Sequence, residues 1–159
     1  MTVLKKDNTV RCCVDYRALN TERDVYPLPT REEIMANLAG TDYYSSLDLN
    51  QGYLQIQVAP ADVPKTAFVV QSGFYEFIRI PFGLTNAPAT FQRLMDTVLA
   101  GLKWKICLVY LDDILIHSKT FEEHLEHLAL VMERLRTARL TIKPSKCAFA
   151  ARKSSSWGT

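Results

Sequence analysis

In Ile106-Cys107-Leu108-Val109-Tyr110-Leu111-Asp112-Asp113-Ile114-Leu115-Ile116, two adjacent acids stand between two short apolar runs. Such runs flanking a polar break are typical of a β-hairpin, with the acids at its tip. Because neighbouring side chains of a regular strand point to opposite faces, only a tight turn lets Asp112 and Asp113 reach one spot. That spot would suit a hard cation. The alternative is a plain surface turn, since Asp is a favoured turn residue.

A third acid, Asp48, follows the β-prone run Tyr43-Tyr44-Ser45-Ser46-Leu47 and precedes a turn that contains Gly52. A charge at the end of a strand is tolerated when it is solvated or paired. Three neighbouring carboxylates would repel one another and raise the pKa of at least one of them, and bound cations would remove that repulsion. Two Mg²⁺ ions roughly 3.5–4 Å apart, completed by phosphates and water, use such a set in phosphoryl transfer.

Further motifs extend over most of the chain. They are Arg11-Cys12-Cys13-Val14-Asp15-Tyr16-Arg17-Ala18-Leu19-Asn20, Tyr26-Pro27-Leu28-Pro29, Leu47-Asp48-Leu49 with Gly52-Tyr53, Pro64-Lys65-Thr66-Ala67-Phe68, Pro81-Phe82-Gly83-Leu84-Thr85-Asn86-Ala87-Pro88-Ala89-Thr90-Phe91-Gln92 and Tyr110-Leu111-Asp112-Asp113. In order and spacing they resemble the reverse transcriptase of Ty3/gypsy-type LTR retrotransposons, the polymerase part of a Gag-Pol polyprotein. The resemblance runs from about residue 4 to residue 150.

The resemblance implies an RNA-directed DNA polymerase, in which a primer 3′-hydroxyl attacks the α-phosphate of a dNTP and pyrophosphate leaves. It assigns Asp48, Asp112 and Asp113 as catalytic residues and ligands of two Mg²⁺ ions, which Mn²⁺ can replace, with the Leu49 carbonyl as a further ligand. The implied partners are dNTPs and an RNA or DNA template with its primer. One alternative is a catalytically inactive retrotransposon remnant that at most binds nucleic acid. Another is a different palm enzyme such as a nucleotidyl cyclase, which the motifs of the fingers and of residues 81–92 disfavour.

The same resemblance assigns residues that contact the nucleotide and the template-primer. Tyr53, five residues after Asp48, would exclude a ribose 2′-hydroxyl, and a half-buried strand tyrosine is the alternative. Gly83 would let the backbone approach the template base, and a simple turn glycine is the alternative. The other nucleotide-binding assignments are Lys5, Arg11, Gln51 and Gly52, and the other template-primer assignments are Phe82 and Tyr110.

Three further polar side chains receive less specific interpretations. Lys146 matches a region where the family has a lysine near the leaving pyrophosphate, and a surface lysine is the alternative. His124 and His127 are spaced i,i+3 on a predicted helix, 120–138, where they are expected to be solvated. No function is assigned to them.

Composition fits one soluble domain, with 48% hydrophobic residues in a chain of 159. A net charge of +2 is too small to establish a nucleic-acid partner by itself, although basic residues near both ends could contact phosphates. The sequence shows neither a bilayer-spanning apolar run nor a signal peptide, so no membrane partner and an intracellular location are expected, in a cytoplasmic particle or the nucleus by family analogy. The cysteines lack CxxC spacing and are expected to be buried, reduced thiols. They are Cys12, Cys13, Cys107 and Cys147.

The periodicity predicts an α+β fold with strands near 9–15, 43–48, 53–58, 67–71, 74–80, 106–111, 114–117 and 140–143. Helices are predicted after Thr30, from about 86 to 99 and over 120–138, the first and last with capping boxes. In the last helix the apolar face is expected to be Leu125, Leu128, Met132 and Leu135. The resemblance makes this fold a polymerase palm, a ferredoxin-like antiparallel sheet with helices on one face, plus partial fingers. Residues 1–150 would form this fingers-palm region, with the fingers incomplete at the N-terminus.

Residues 151–159 are expected to be a frameshifted or disordered tail. Family members continue with Val-Glu-Phe-Leu-Gly-His, whereas this chain has Ser154-Ser155-Ser156-Trp157-Gly158-Thr159. A coding segment for the family hexapeptide, when read from its second base, encodes the sequence found here. The thumb, connection and RNase H regions of the parent polyprotein are expected to be missing.

Overall fold

The computed structural model describes residues 2–4, 10–12, 14–27, 29–110 and 112–152. The chain divides into two compact units, Met1–Val25 with Gln51–Phe91, and Tyr26–Asn50 with Gln92–Thr159. In chain order the strands and helices are β1 Thr2–Leu4, β2 Val10–Cys12, α1 Arg31–Asn37, β3 Tyr43–Asp48, β4 Phe68–Val70, β5 Gly73–Tyr75, α2 Ala87–Val98, β6 Cys107–Tyr110, β7 Asp113–Ser118, α3 Phe121–Thr137 and β8 Ala148–Arg152. This mixture of helices and antiparallel strands confirms the α+β prediction. No helix among these residues is long and apolar enough to cross a bilayer.

The second unit is built on a four-stranded antiparallel sheet with the strand order β6-β7-β3-β8. Helix α3 packs against β3 and β7. Alternation along β3 places Ser45 and Leu47, both fully buried, on the face toward α3, and therefore Asp48 on the opposite face. Ile114 and Ile116 of β7 lie opposite Leu47 and Ser45 and are also fully buried. The apolar core of this unit thus lies on one side of the sheet and Asp48 on the other.

The buried face of α3 differs from the predicted one. Leu125 and Met132 are 50% and 37% exposed, whereas His124 and Val131 are 0% exposed. The stripe that faces the sheet is therefore 124, 128, 131 and 135. Leu128 and Leu135 are as predicted, whereas His124 and Val131 replace Leu125 and Met132. The expectation that His124 and His127 are solvated was wrong. The strands provide hydrogen-bond partners for both rings, and the His127 side chain is only 15% exposed.

Both ring nitrogens of His124 are hydrogen-bonded inside the second unit. Nε2 lies 2.7 Å from Oγ of Ser45 on β3, and Nδ1 lies 2.9 Å from Oγ of Ser118 on β7. Oγ of Ser118 also lies 2.8 Å from Nδ1 of His127, and the Ala150 N–H of β8 donates to Oγ of Ser45 at 2.9 Å. One buried polar network thereby joins α3 to three strands of the sheet, and satisfied networks of this kind favour a single arrangement.

A second polar cluster holds the Tyr26-Pro27 segment against α2. The Tyr26 hydroxyl donates to Oδ2 of Asp96 at 2.8 Å, and Lys103 and Gln92 donate to Oδ1 of the same carboxylate. Burial alone would raise the pKa of Asp96, but these hydrogen bonds outweigh it and hold the pKa below its ordinary value. The guanidinium of Arg93 lies over the Tyr26 ring, 4.9 Å from its centroid. The ionised Asp96 carboxylate thus links Tyr26, Gln92 and Lys103 through hydrogen bonds.

The first unit carries the two-stranded sheets β1-β2 and β4-β5. Its interior includes Tyr16, whose hydroxyl donates to the Thr66 carbonyl at 3.1 Å, and Phe91, which is 0% exposed. Asn20 bonds two points of the Gly83-Leu84-Thr85 segment, donating to the Gly83 carbonyl and accepting from the Thr85 N–H, both at 2.9 Å. These side-chain bonds tie the turn at Asn20 to a segment more than sixty positions away in the sequence.

Several predicted elements have other bounds or another form. The strand predicted at 53–58 is a short 3-10 helix, Gly52–Gln55, and the strand predicted at 140–143 is a single bridge between Ile142 and Leu49. Strand β8 was not predicted. It includes residues 151 and 152 of the expected tail, which pair with Tyr44 and Tyr43 of β3. The prediction for 153–159 lies outside the described residues.

The capping box of α1 is confirmed in both directions. The Glu33 N–H donates to Oγ1 of Thr30 at 3.2 Å, and the Thr30 N–H donates to Oε2 of Glu33 at 2.8 Å. In α3, the Glu123 N–H donates to Oγ1 of Thr120 at 3.2 Å, while the Glu123 carboxylate accepts from the Lys119 N–H at 2.9 Å. Both helices therefore begin where the sequence predicted, but in α3 the return bond of the predicted capping box goes to the Lys119 N–H instead of the Thr120 N–H.

Two cysteine side chains are described, and both are free thiols. Cys107 on β6 is buried, and burial raises its pKa to about 12, so it is an inert core residue. Cys147 is partly exposed. The predictions for Cys12 and Cys13 concern side chains outside the described ones.

Buried histidines should make the stability of this protein depend on pH. Burial, followed by the charge of His127, lowers the pKa values of His117 and His124, and Glu123 partly opposes this at His117. Nε2 of His117 is buried with no hydrogen-bond partner among the described residues. Because the unfolded chain takes up these protons near pH 6.5, the free energy of unfolding should be highest above that pH and fall as the pH drops toward 5.

Urea unfolding at pH 8, 7, 6 and 5 measures this dependence. His124→Leu should lower the stability at pH 7, since it leaves Ser45 and Ser118 without their ring partner, but it should also make the fall between pH 7 and pH 5 shallower. A fall of the same steepness in the wild type and the variant would show that His124 is not responsible.

Candidate active site

The hairpin of β6 and β7 has its predicted turn at the acids. Tyr110 and Asp113 are the last paired residues of the hairpin, so its turn lies between them and includes Asp112. The prediction of a hairpin is confirmed, with one difference in detail. Asp112 lies in the loop itself, whereas Asp113 is the first residue of β7.

Asp48, far away in the sequence, lies directly opposite Asp113. The two are Cα partners at the end of the antiparallel pair β3-β7. Side chains opposite each other in such a pair share one face of the sheet, with Cβ atoms about 4.5–5.5 Å apart. Strand pairing thus brings the Asp48 side chain to the hairpin turn, as the sequence predicted.

The electrostatics of the acids reflect this closeness. Desolvation of its carboxyl, followed by the charges of Asp48 and Asp112, raises the pKa of Asp113, and the charge of Lys146 opposes the increase. Oδ1 of Asp112 is buried, and within the described part of the chain it has no hydrogen-bond partner. An unpaired buried carboxylate oxygen is costly, so a cation or a donor is expected to complete it.

Lys146 pairs with the first of the acids. Its Nζ lies 3.1 Å from Oδ2 of Asp48 and donates a hydrogen bond to it. The lysine side chain is 58% exposed and that of Asp48 is 20% exposed. Lys146 is therefore more than a surface lysine, because it contacts a predicted catalytic carboxylate.

The acids fit a divalent metal site that is only partly formed by protein. In the described part of the chain, no group of three histidine, cysteine or carboxylate side chains is close enough to hold a metal ion unaided. Mg²⁺ characteristically binds one or two carboxylates and takes its remaining ligands from water and substrate phosphates. The paired Asp48 and Asp113 and the unpaired Oδ1 of Asp112 suit that mode of binding, with Lys146 displaced from Asp48.

Two other predicted residues lie in the same unit. Leu49 follows β3, where its side chain is 2% exposed and its backbone bridges to Ile142. Tyr110 ends β6 and is 43% exposed beside the loop. Leu49 directly follows Asp48 in the sequence, and Tyr110 is the strand partner of Asp113.

Tyr53 and its neighbours belong to the first unit. Gln51 has φ 53°, in the left-handed region, and the 3-10 turn of Gly52 and Tyr53 begins there. The Tyr53 ring meets Phe82 and Phe91 edge-on, with centroids 5.9 and 5.7 Å away. The strand conformation considered for Tyr53 is absent, and aromatic packing holds its ring instead.

Gly83 adopts φ +105°, which side-chain-bearing residues rarely reach. A Cβ at this position would lie 3.4 Å from the Val14 carbonyl oxygen. Its backbone conformation therefore requires glycine within the first unit.

The predicted phosphate-binding residues are outside what can be described in detail. Lys5 lies outside the described residues, and Arg11 lies on β2 without a described side chain. Their assignments stay predictions.

A profile described as Reverse transcriptase (RNA-dependent DNA polymerase) matches residues 3–157. The chain belongs to the reverse transcriptase family. This reverse transcriptase domain is 46% identical over 144 residues to the Retrovirus-related Pol polyprotein from transposon 297 of Drosophila melanogaster, covering 89% of this chain and 14% of that polyprotein. It is 40% identical over 151 residues to the Transposon Tf2-3 polyprotein of Schizosaccharomyces pombe, covering 94% of this chain and 11% of that polyprotein. These relatives are of the Ty3/gypsy type, as the resemblance implied.

Solved structures give the same result. The foamy viral protease-reverse transcriptase in complex with RNA/DNA hybrid matches with a TM-score of 0.82 and 29% identity, over 93% of this chain and 20% of that one. A form of the foamy viral enzyme in complex with double-stranded DNA matches with a TM-score of 0.82 and 27% identity, over 99% of this chain and 28% of that one. The palm and fingers fold is thereby confirmed. The reverse transcriptase domain spans only a small part of each of these proteins.

The sequence-based interpretation missed the pairing of Lys146 with Asp48 and the burial of His124. The resemblance placed Lys146 near the leaving pyrophosphate, but it did not indicate an ion pair with Asp48. Nothing in the pattern around His124 indicated burial, since its partners Ser45 and Ser118 belong to other elements.

Gly52→Ala should destabilise this reverse transcriptase domain through a steric clash. A Cβ on Gly52 would come 2.9 Å from Cε2 of Phe91, a ring that is 0% exposed. The expected cost is about 1–3 kcal/mol in the free energy of unfolding, measured by urea denaturation.

Phe91→Leu provides the control for this clash. In the double variant the smaller side chain makes room, so the two costs should sum to more than the cost of the double variant. Simple additivity would mean that the clash is not the cause.

Proposed function

We propose that this domain catalyses RNA-directed DNA synthesis by two-metal nucleotidyl transfer from a dNTP to a primer 3′-hydroxyl. The observation that carries the proposal is the pairing of Asp48 with Asp113 at the end of β3 and β7, beside the unpaired buried oxygen of Asp112. Membership of the reverse transcriptase family supplies the substrate class.

In the proposed reaction the primer O3′ forms a bond to the α-phosphorus of the dNTP while the bond from that phosphorus to the bridging oxygen breaks. The proton of the 3′-hydroxyl passes to solvent, and pyrophosphate leaves with the bridging oxygen. Bound divalent cations would stabilise the attacking and leaving oxygens and the negative charge on the phosphates. Asp48, Asp112 and Asp113 would hold those cations, with the Leu49 carbonyl as a further ligand.

The remaining assignments concern orientation of the substrates. We assign Tyr53 to selection against a ribose 2′-hydroxyl, with Gln51 and Gly52 offering backbone N–H groups to the triphosphate. Lys5 and Arg11 would contact the β- and γ-phosphates. The residues proposed for the template-primer are Phe82, Gly83 and Tyr110.

The nucleic-acid partners are supported by the nature of the relatives. The foamy viral enzyme was solved in complex with RNA/DNA hybrid and with double-stranded DNA. We propose that this domain takes a comparable template-primer. The alternative function is binding of nucleic acid without catalysis, which the following assay distinguishes.

Asp112→Asn should strongly reduce DNA synthesis while the fold is retained. The variant keeps the size of the side chain but removes a charge needed to hold a cation. Incorporation of dTTP on poly(rA)/oligo(dT) with Mg²⁺ or Mn²⁺ should fall at least about a hundredfold, since metal stabilisation of the transition state is worth several kcal/mol.

Asp42→Asn is the matched control, because it makes the same charge change at an exposed residue just before β3. This control should retain the wild-type rate. Equal incorporation by the wild type and Asp112→Asn would exclude catalysis by the proposed acids, and no incorporation by the wild type with retained binding of the template-primer would favour the alternative function.

Tyr53→Val should reduce discrimination between dNTP and rNTP. Loss of the ring removes the group proposed to collide with a 2′-hydroxyl, so the ratio of kcat/KM for dTTP to that for UTP should fall about tenfold or more. Tyr53→Phe retains the ring and should keep the wild-type ratio. An unchanged ratio in Tyr53→Val would remove Tyr53 from sugar selection.

A further inference from the structure

Backbone hydrogen bonds place the segment that carries Lys146 beside Asp48. The Lys143 N–H donates to the Asp48 carbonyl at 2.8 Å, and the Asn50 N–H donates to the Thr141 carbonyl at 2.9 Å. Beyond Lys146, β8 pairs with β3, and Ala148 lies opposite Ser46. The backbone around Lys146 is thus held from both sides by contacts that do not involve its side chain.

The ammonium group of Lys146 is hydrogen-bonded to a carboxylate oxygen of Asp48, and a metal ion bound at Asp48 would need that oxygen as a ligand. The ammonium group bonds Oδ2 of Asp48 at 3.1 Å. Among the described residues, it is the only cationic side chain in an ion pair with any of the three acids. The pair is partly open to solvent, with the lysine side chain 58% exposed, so little free energy holds it together.

We propose that Lys146 is a placeholder cation, which neutralises Asp48 in the metal-free protein and must leave before a divalent ion binds there. The inference rests on the proposed function, because it takes Asp48 to be a metal ligand. A lysine suits the task, since its compact charge lies on a flexible stem and can move away without disturbing the backbone.

This arrangement couples metal binding to the arrival of the nucleotide. A lone divalent ion must displace the ammonium group and then remain close to its positive charge, so it binds weakly. A divalent ion that arrives on a triphosphate brings negative charge that compensates the displaced lysine. The role concerns the state before the reaction and is separate from any contact between Lys146 and the leaving pyrophosphate.

A Mn²⁺ titration of the full chain without nucleotide, with free Mn²⁺ measured by electron paramagnetic resonance, tests the proposal. Lys146→Gln should bind Mn²⁺ roughly two- to fivefold more tightly than the wild type, as expected for the removal of a competing exposed ion pair. Lys146→Arg retains the charge and should stay near the wild type. Thermal unfolding should show that each variant is folded, since backbone contacts hold the segment.

Lys143→Gln is the matched control, because it removes the same charge from the same exposed segment. Among the described residues the Lys143 side chain forms no ion pair with Asp48. Its effect on Mn²⁺ affinity should be clearly smaller than that of Lys146→Gln. Equal affinities of the two glutamine variants would overturn the placeholder role.

Asp48→Asn separates this inference from the proposed function. Weaker Mn²⁺ binding by Asp48→Asn supports the metal site, and the comparison of the two lysine variants then decides the role of Lys146 alone. Unchanged Mn²⁺ binding by Asp48→Asn would overturn the metal site and the placeholder role together.

Discussion

The antiparallel pairing of β3 with β7 is the constraint on which the candidate site depends. Its register sets Asp48 opposite Asp113 at one end of the pair and Tyr43 opposite Ser118 at the other. A shift of one residue would turn Asp48 toward the apolar face and bury a charge under α3. The hydrophobic side chains that hold the register, above all Leu47 and Ile114, therefore also position the acids.

The hydrogen bonds of His124 reinforce this register from beneath the sheet. Ser45 on β3 and Ser118 on β7 bond opposite edges of one imidazole, so the ring spans the two strands that carry Asp48 and Asp113. Purely apolar packing would tolerate small displacements of α3, whereas hydrogen bonds have narrow geometry. The network thereby ties together the two strands that carry Asp48 and Asp113.

Much of the fold followed from local pattern, and the errors have physical causes. The helix starts at Thr30 and Thr120 and the hairpin at Asp112 depend on neighbours within four residues, so they were predictable. The face of α3 was not, because hydrophobicity favours Leu125 over His124 unless the distant Ser45 and Ser118 are known to be its partners. The strand predicted at 53–58 failed because Gln51, in a left-handed conformation, turns the chain into the 3-10 helix instead.

The sequence by itself determined the family and the α+β class and pointed to the candidate acids, because motif order, periodicity and turn chemistry are present in local sequence. Tertiary structure decided that Asp48 faces Asp113, that Lys146 forms an ion pair with Asp48 and that β8 pairs with β3 in the sheet. Each of these contacts joins residues more than sixty positions apart. Such contacts are set by strand register and by the packing of side chains from separate elements, and no local pattern records them.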